Sequence, residues 1–497
     1  MKTLATTLLL LFFSSLSSAQ VIDFGDGRTY PLTSGATVNF PWNTATGVPM
    51  IGNPITQDTI HGVLQGTMLA GHTYYMDSDV IIPASDTLLL QPGVTVIVTT
   101  ASTEQPGTPE FQVFGTFISY GTKAQPIFLT VPENLHLYSN LVTGLWGGIT
   151  CAPNSGDVIL KWTHIEYAGG TAGPNDPINQ RGSVRYGVWF QNSASNLIIE
   201  DSWFSGGDND PVRVNGGKIS IFRYVFESNA NTSGDGPNIK AGSVGDMAYN
   251  LFIGSCTNGP KLSNKGSINP QTGVNIYNNT IVTCGWRCDL GARAGSTDIE
   301  QGAYGIEYNN IIVNCRTGFR LLANPIADTA DTYYDYQWYY GSTDSVVAHF
   351  CNDALDGGLQ VIKPHDRAGA AGANNPMFVN YNVDQVPVAR FTFADPFTSQ
   401  LPVENVKACS SSRFSDTPES FTSDFHLSAS SPAIGTAYTG TIKASPWGGP
   451  VYPANSSIPV PMNACPQYSA SNPFGAITEG LGKDFGAYQS DGSGNQQ

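Results

Sequence analysis

The chain has 497 residues and only 12% of them are charged, about half the share usual in soluble domains. With 54 glycines and 32 prolines, that mixture disfavours helical bundles and coiled coils, while 40% hydrophobic content can bury a core and so disfavours disorder. The formal net charge of −16 argues against nucleic acid, whose phosphates need a basic face, and would attract cations such as calcium.

Lys2, the apolar run Leu8 to Phe13 and the small-residue sequence Ser17-Ser18-Ala19 read as a signal peptide over residues 1–19. The apolar run is too short to span a bilayer, and no later stretch of about 18 apolar residues appears. The expectation is a secreted protein with no membrane span. Residues 20–78 read as an N-terminal lead-in that caps a repeat structure, since an open end would leave an exposed strand edge. Residues 79–325 are expected to form the regular part, residues 326–490 an insertion and irregular terminal coils, and residues 491–497 a frayed tail.

From residue 158 onward, short runs of β-branched and aromatic residues recur, cut by Gly, Asn, Asp and Pro. Their apolar ends, Ile165, Phe204, Phe226, Phe252, Ile281 and Ile312, are 39, 22, 26, 29 and 31 residues apart. A period of this size with almost no helix signals a parallel β-solenoid, in which coils too thin to bury their own apolar face stack into one core. Asn250, Asn279 and Asn310 would then form an amide ladder at a turn where Asn tolerates left-handed geometry. A β-sandwich with irregular strands is the alternative.

The eight cysteines follow from the same period. Cys284 lies three residues after Ile281 and Cys315 three after Ile312, so the two fall at one place on adjacent coils. Cys256 is close to that column, which points to a Cys284–Cys315 or Cys256–Cys284 disulfide, with Cys288 as another partner. Zinc would want paired close ligands. The only close pair is Cys284 with Cys288, and no His is nearby.

Three turns read alike: Gly207-Asp208-Asn209-Asp210-Pro211, Gly234-Asp235-Gly236-Pro237 and Asn258-Gly259-Pro260. The strands they start carry Arg213, Lys240 and Lys261, and a later coil offers Arg320. With Val212 or Val214, Ile239 and Leu262 pointing inward, alternation turns these cations outward as a ladder. Like charges at strand spacing repel, so carboxylates or an anionic partner should offset them. Asp208, Asp210 and Asp235 are placed to do so. The same residues also read as surface ion pairs beside ordinary Asp-Gly and Asn-Gly turns. Further on, Tyr333-Tyr334-Asp335-Tyr336-Gln337-Trp338-Tyr339-Tyr340 is an aromatic segment. Tyr336 and Trp338 are candidates to stack on sugar rings, or else to cover an apolar strip.

Several stretches resemble secreted bacterial right-handed parallel β-helix proteins of the pectin-lyase-like fold. These are Asp86 to Val94, Phe114-Gly115-Thr116-Phe117-Ile118, Gln125 to Thr130, Trp146-Gly147-Gly148-Ile149 and Ile165 to Gly170. Near the end, Asp424-Phe425-His426-Leu427, Ser431 to Gly435 and Asp484-Phe485-Gly486-Ala487-Tyr488 are similar to terminal coils of such proteins. The resemblance covers roughly residues 60–490 and implies an all-β right-handed parallel β-helix. It leaves activity open, because one fold hosts many functions.

Some polysaccharide lyases of this fold combine calcium with a basic residue on an outer face. By that analogy Lys240 would be the base and Arg213 the clamp on a uronate carboxylate. Lys261 and Arg320 would contact substrate, and Asp208, Asp210 and Asp235 would hold calcium. The Asn-Thr-Asp, Asp-Asp, Gly-His-Gly and Arg-Ile-Lys motifs of the polygalacturonase-type hydrolases are absent, and Asn238-Ile239-Lys240 is only an echo of the last. His365-Asp366-Arg367 reads as loop polarity. The leading expectation is therefore a secreted protein that acts on or binds an acidic polysaccharide or cell-surface glycan. A non-catalytic adhesin or surface structural protein is the alternative. Ice or mineral binding would require Thr-x-Thr rows, which do not occur.

Overall fold

The computed structural model describes the strand pair Val21–Asp23 and Thr29–Pro31, and residues 50–101, 108–137, 140–227, 234–264, 271–286, 288, 294–323, 326–351, 357–384, 423–439 and 481–497. The expected signal peptide lies outside these residues.

Within them the chain is a right-handed parallel β-helix. Successive coils each lay short strands on three faces, and each strand pairs in parallel with its equivalent one coil away. The first face is an 11-stranded sheet from Pro54–Ile55 to Tyr333–Asp335. The second runs from Thr95–Val98 through Thr163–Ala168, Leu251–Ile253 and Thr280–Val282 to Trp338–Tyr340. The third runs from Glu110–Val113 through Val212–Asn215, Pro237–Lys240 and Lys261–Ser263 to Phe319–Leu321. The long strand Thr73–Ile82 feeds both the second and third faces. Helix is confined to Asp344–Ala348 and a short 3-10 turn at Glu133–Leu135 among the described residues.

The repeat read from sequence is the interior column. Ile165, Phe204, Phe226, Phe252, Ile281 and Ile312 are consecutive register partners, with Leu129 and Val96 before them and Tyr339 after. All are fully buried. The Phe226 and Phe252 rings stack at 4.7 Å with planes 9° apart, a distance equal to the strand spacing itself. One core cluster threads the stack from Ile55 to Phe350.

The amide ladder is present. Asn250 Nδ2 donates to Asn279 Oδ1, and Asn279 Nδ2 to Asn310 Oδ1, each at 3.0 Å, and all three side chains are buried. The left-handed backbone falls one residue earlier than expected, at Trp162, Asp201, Arg223, Tyr249, Asn278, Asn309 and Tyr336, with φ between 47° and 58°. That residue turns the corner, which leaves the next one, the ladder position, aimed along the stack.

Several boundaries differ from the sequence reading. Stacked strands already begin at Pro54, inside the expected lead-in. The aromatic segment enters the stack as its last rung: Tyr333–Asp335 pairs with the first face and Trp338–Tyr340 with the second. Residues 491–497, expected to fray, pack back on the helix. Asn495 is buried and its Nδ2 donates to the Tyr249 carbonyl at 3.0 Å, and Gln497 Nε2 donates to that of Ser202 at 2.7 Å.

Second-face strands are apolar on both sides, as in Leu251–Ile253 and Ile311–Val313. Their inward residues fill the core. Their outward residues, Trp203, Val225, Leu251, Val282, Ile311 and Val313, are covered by Phe425, Ala433, Phe485 and Tyr488 of the C-terminal segment. Among the described residues the third face has no comparable apolar cover at its middle coils, and there the cleft described next is found.

A cationic cleft on the third face

The turns that lead from the second face to the third stack like the strands they join. Asp210 Oδ1 accepts a hydrogen bond from the Asp235 backbone N–H at 2.8 Å. Asp235 in turn accepts from Asn258 Nδ2 at 2.7 Å and from Asn238 Nδ2 at 2.8 Å. Close stacking here requires Gly236, where a Cβ would meet the Gly259 carbonyl oxygen at 2.8 Å. Three carboxylate or amide turns in register thus replace the variable loops that a surface would otherwise carry.

On the strands that follow, Val212, Val214, Ile239 and Leu262 are fully buried, so alternation points Arg213, Lys240 and Lys261 outward, as expected. They do not form one row. Arg213 pairs in register with Asn238, Asn238 with Lys261, Lys261 with Asp298, and Asp298 with Arg320. Lys240 stands two residues further along its strand, in the neighbouring column opposite Asn215. The correction has a physical cause: like charges one coil apart repel, and the column instead alternates cation, amide, cation, carboxylate, cation.

Arg213, Lys240 and Lys261 nevertheless converge on one cleft of about 210 Å³, lined also by Asn209, Asp210, Asp235, Asn238, Thr257 and Cys288. Arg213 Nη1 is 3.0 Å from Asp210 Oδ2. Burial opposes the Arg213 charge, but Asp210, Tyr186 and Asp235 together more than offset this and the pKa rises. Burial and neighbouring Asp235 push the Asp210 carboxyl up while Arg213 pulls it down. Lys261 Nζ lies 3.2 Å from Glu300 Oε1 and 3.4 Å from Asp298 Oδ2. Its burial is outweighed by Asp235, Asp298 and Glu300, which hold it charged.

Lys240 differs. No carboxylate among the described residues lies within ion-pair distance of it. Burial, reinforced by the charges of Arg213 and Lys261, lowers its amine to about 8. The cleft therefore offers two fixed cations and one amine that gives up its proton near pH 8. Such a set can hold an anion and accept a proton beside it. Asn238 adds a buried side-chain oxygen that has no hydrogen-bond partner among the described residues.

The remaining candidates lie elsewhere. Arg320 is buried, 4.0 Å from Asp298 Oδ1, and does not line the cleft. Asp208 is half-buried outside the lining set, and burial raises its carboxyl. Trp338 is buried against Phe485 and donates its Nε1 hydrogen to the Asn374 carbonyl, so it packs under the C-terminal segment. Tyr336 is half-buried and stacks on His365 at 4.6 Å with planes 5° apart. His365 Nδ1 in turn lies 2.7 Å from Asp335 Oδ2.

Calcium does not fit the aspartates as they stand. Asp208 is apart from the other two, Asp210 is held by Arg213 and the Asp235 N–H, and Asp235 is held by two amide donors. Among the described residues no three His, Cys, Asp or Glu side chains form a metal-ligand group.

Cys284 and Cys315 do share one position, two residues past the register pair Val282 and Val313, where both are buried and their thiols donate to backbone carbonyls, Cys284 to Val282 and Cys315 to Ile281 and Val313. The residue that faces Cys284 on the preceding coil is Ser255, whose carbonyl accepts from the Gly285 N–H at 3.0 Å, so Cys256 is one residue out of the column. The described residues contain no disulfide.

Sequence reading missed Asn238 and Thr257. Asn238 was within reach, because counting back two from Lys240 on an alternating strand puts it on the same face. The cleft has no precedent to lean on: no family model, curated protein or solved structure matches this chain.

Proposed function

We propose that the protein is a secreted, pectin-lyase-like enzyme that cleaves an acidic polysaccharide by β-elimination at the third-face cleft. One observation carries this reading: Lys240, without a carboxylate partner among the described residues, shares a small cleft with two fixed cations, Arg213 and Lys261. In a uronate unit the carboxylate sits beside the carbon that must lose its proton. Arg213, with Lys261 behind it, neutralises that carboxylate and acidifies the proton. Neutral Lys240 accepts the proton, and the electron pair left on carbon forms the new C=C bond. The C–O bond on the adjacent carbon breaks, and its oxygen takes a proton from water. No step is routed through calcium.

The test is direct. The chain is incubated with a panel of uronate polymers, and ultraviolet absorbance reports the unsaturated product. Turnover that is lost in Lys240→Ala and survives a chelator is the expected result. Binding without turnover on every polymer would sink the enzyme reading and leave a glycan-binding surface protein.

A further inference from the structure

We propose that Trp189, one coil toward the N-terminus from Arg213, is the platform of a second sugar subsite next to the cleft. The inference rests on the reading of the cleft given above.

Trp189 is the register partner of Arg213 on the third face. Val188 and Phe190 on either side of it are fully buried, so its indole points outward, and it is only partly covered. Tyr186 props the indole from the side, with centroids 5.7 Å apart and planes at 74°. The Arg213 guanidinium lies 5.2 Å from the centre of the Tyr186 ring. One aromatic pair thus fixes both the carboxylate clamp and the indole next to it, and a ring face is suited to the apolar face of a pyranose.

The column is bounded on both sides. Toward the C-terminus the coil after Lys261 carries Asp298 and Glu300, and a polyanion extended that way meets carboxylates. Toward the N-terminus the register partner of Trp189 is Thr150, which is fully buried and donates to Glu110, so Trp189 is the last outward platform of the column on that side. Coils are spaced at about 4.8 Å, close to the advance of one pyranoside unit. The cleft of about 210 Å³ itself has room for little more than a single sugar ring, so selectivity for longer chains must come from outside it.

The experiment is isothermal titration of the full chain with galacturonate and mannuronate dimers, trimers and tetramers at pH 6. There Lys240 is protonated and elimination is suppressed. In the wild type, affinity should rise about tenfold between dimer and the longer oligomers, the size expected for one good aromatic contact. Trp189→Leu should abolish that increment and leave dimer affinity unchanged, and Trp189→Phe should restore most of it. The wild type should also show a change in tryptophan fluorescence with trimer that Trp189→Phe lacks, a readout that survives even if the Leu variant does not fold. An increment that persists in Trp189→Leu, or an identical fluorescence change in Trp189→Phe, overturns the subsite while leaving the cleft reading intact. Absence of binding by any oligomer to the wild type overturns both.

Discussion

At the scale of single residues, Lys240 determines how the cleft responds to pH. Its amine is lowered from 10.5 to about 8 by burial first, and then by Arg213 and Lys261. As a base it works only when neutral, so elimination should rise with pH through a limb centred near 8. Arg213→Gln removes a like charge and leaves Asp210 without its partner. Both changes favour the protonated amine, and a pH–rate profile should show the limb displaced to the alkaline side. Lys240→Ala should lower the rate by about 10²- to 10⁴-fold, the usual worth of a general base.

The same shift has a consequence for folding. Between pH 8 and 10.5 the unfolded chain holds this proton more tightly than the folded one, so stability should rise with pH across that window. Below it the charged amine is a standing penalty, and Lys240→Met should raise the melting temperature at neutral pH while it abolishes turnover. A variant that loses both activity and stability would point to a structural lysine instead.

At the scale of elements, the ladders hold successive coils in register. Asn279 Oδ1 accepts from both the backbone and the side chain of Asn250, while its Nδ2 donates to Asn310 and to the Met247 carbonyl. Asn279→Ala leaves these buried partners unsatisfied. It should cost about 3 kcal/mol, read as a lower urea midpoint with an unchanged slope. This ladder and the Phe226–Phe252–Ile281 column were legible in the sequence, since Tyr249-Asn250, Tyr277-Asn278-Asn279 and Tyr308-Asn309-Asn310 recur at coil spacing ahead of apolar ends. The third face was harder to read, because its strands are three or four residues long and follow turns of unequal length. Treating Arg213, Lys240 and Lys261 as equivalents hid Asn238 and the offset of Lys240. Trp189 went unnoticed for a related reason. It lies one ordinary coil before Arg213, but its strand follows Tyr186-Gly187 rather than one of the Asp-Pro or Gly-Pro turns that mark the later coils.

At the scale of the whole molecule, the solenoid is finished by a segment from far along the chain. Asn278 Nδ2 donates to the Asp484 carbonyl and Thr280 Oγ1 accepts from the Ala487 N–H, contacts 206 and 207 residues apart in sequence. No local pattern signals such pairings, so the apolar outer side of the second face reads from sequence as a puzzle and from the structure as a docking surface. Trp203, Val225, Leu251, Val282, Ile311 and Val313 form a continuous strip along that face, and Phe425, Phe485 and Tyr488 lie over it. A chain truncated after residue 422 would uncover the strip while leaving every coil of the third face in place. An exposed patch of that kind is an association site, so the truncated protein should bind a hydrophobic dye and self-associate in ultracentrifugation. Phe485→Ala in the full chain should act in the same direction at a cost of about 3 kcal/mol. A truncated chain that stayed monomeric and dye-silent would mean that the C-terminal segment is an ornament on the helix rather than its outer wall.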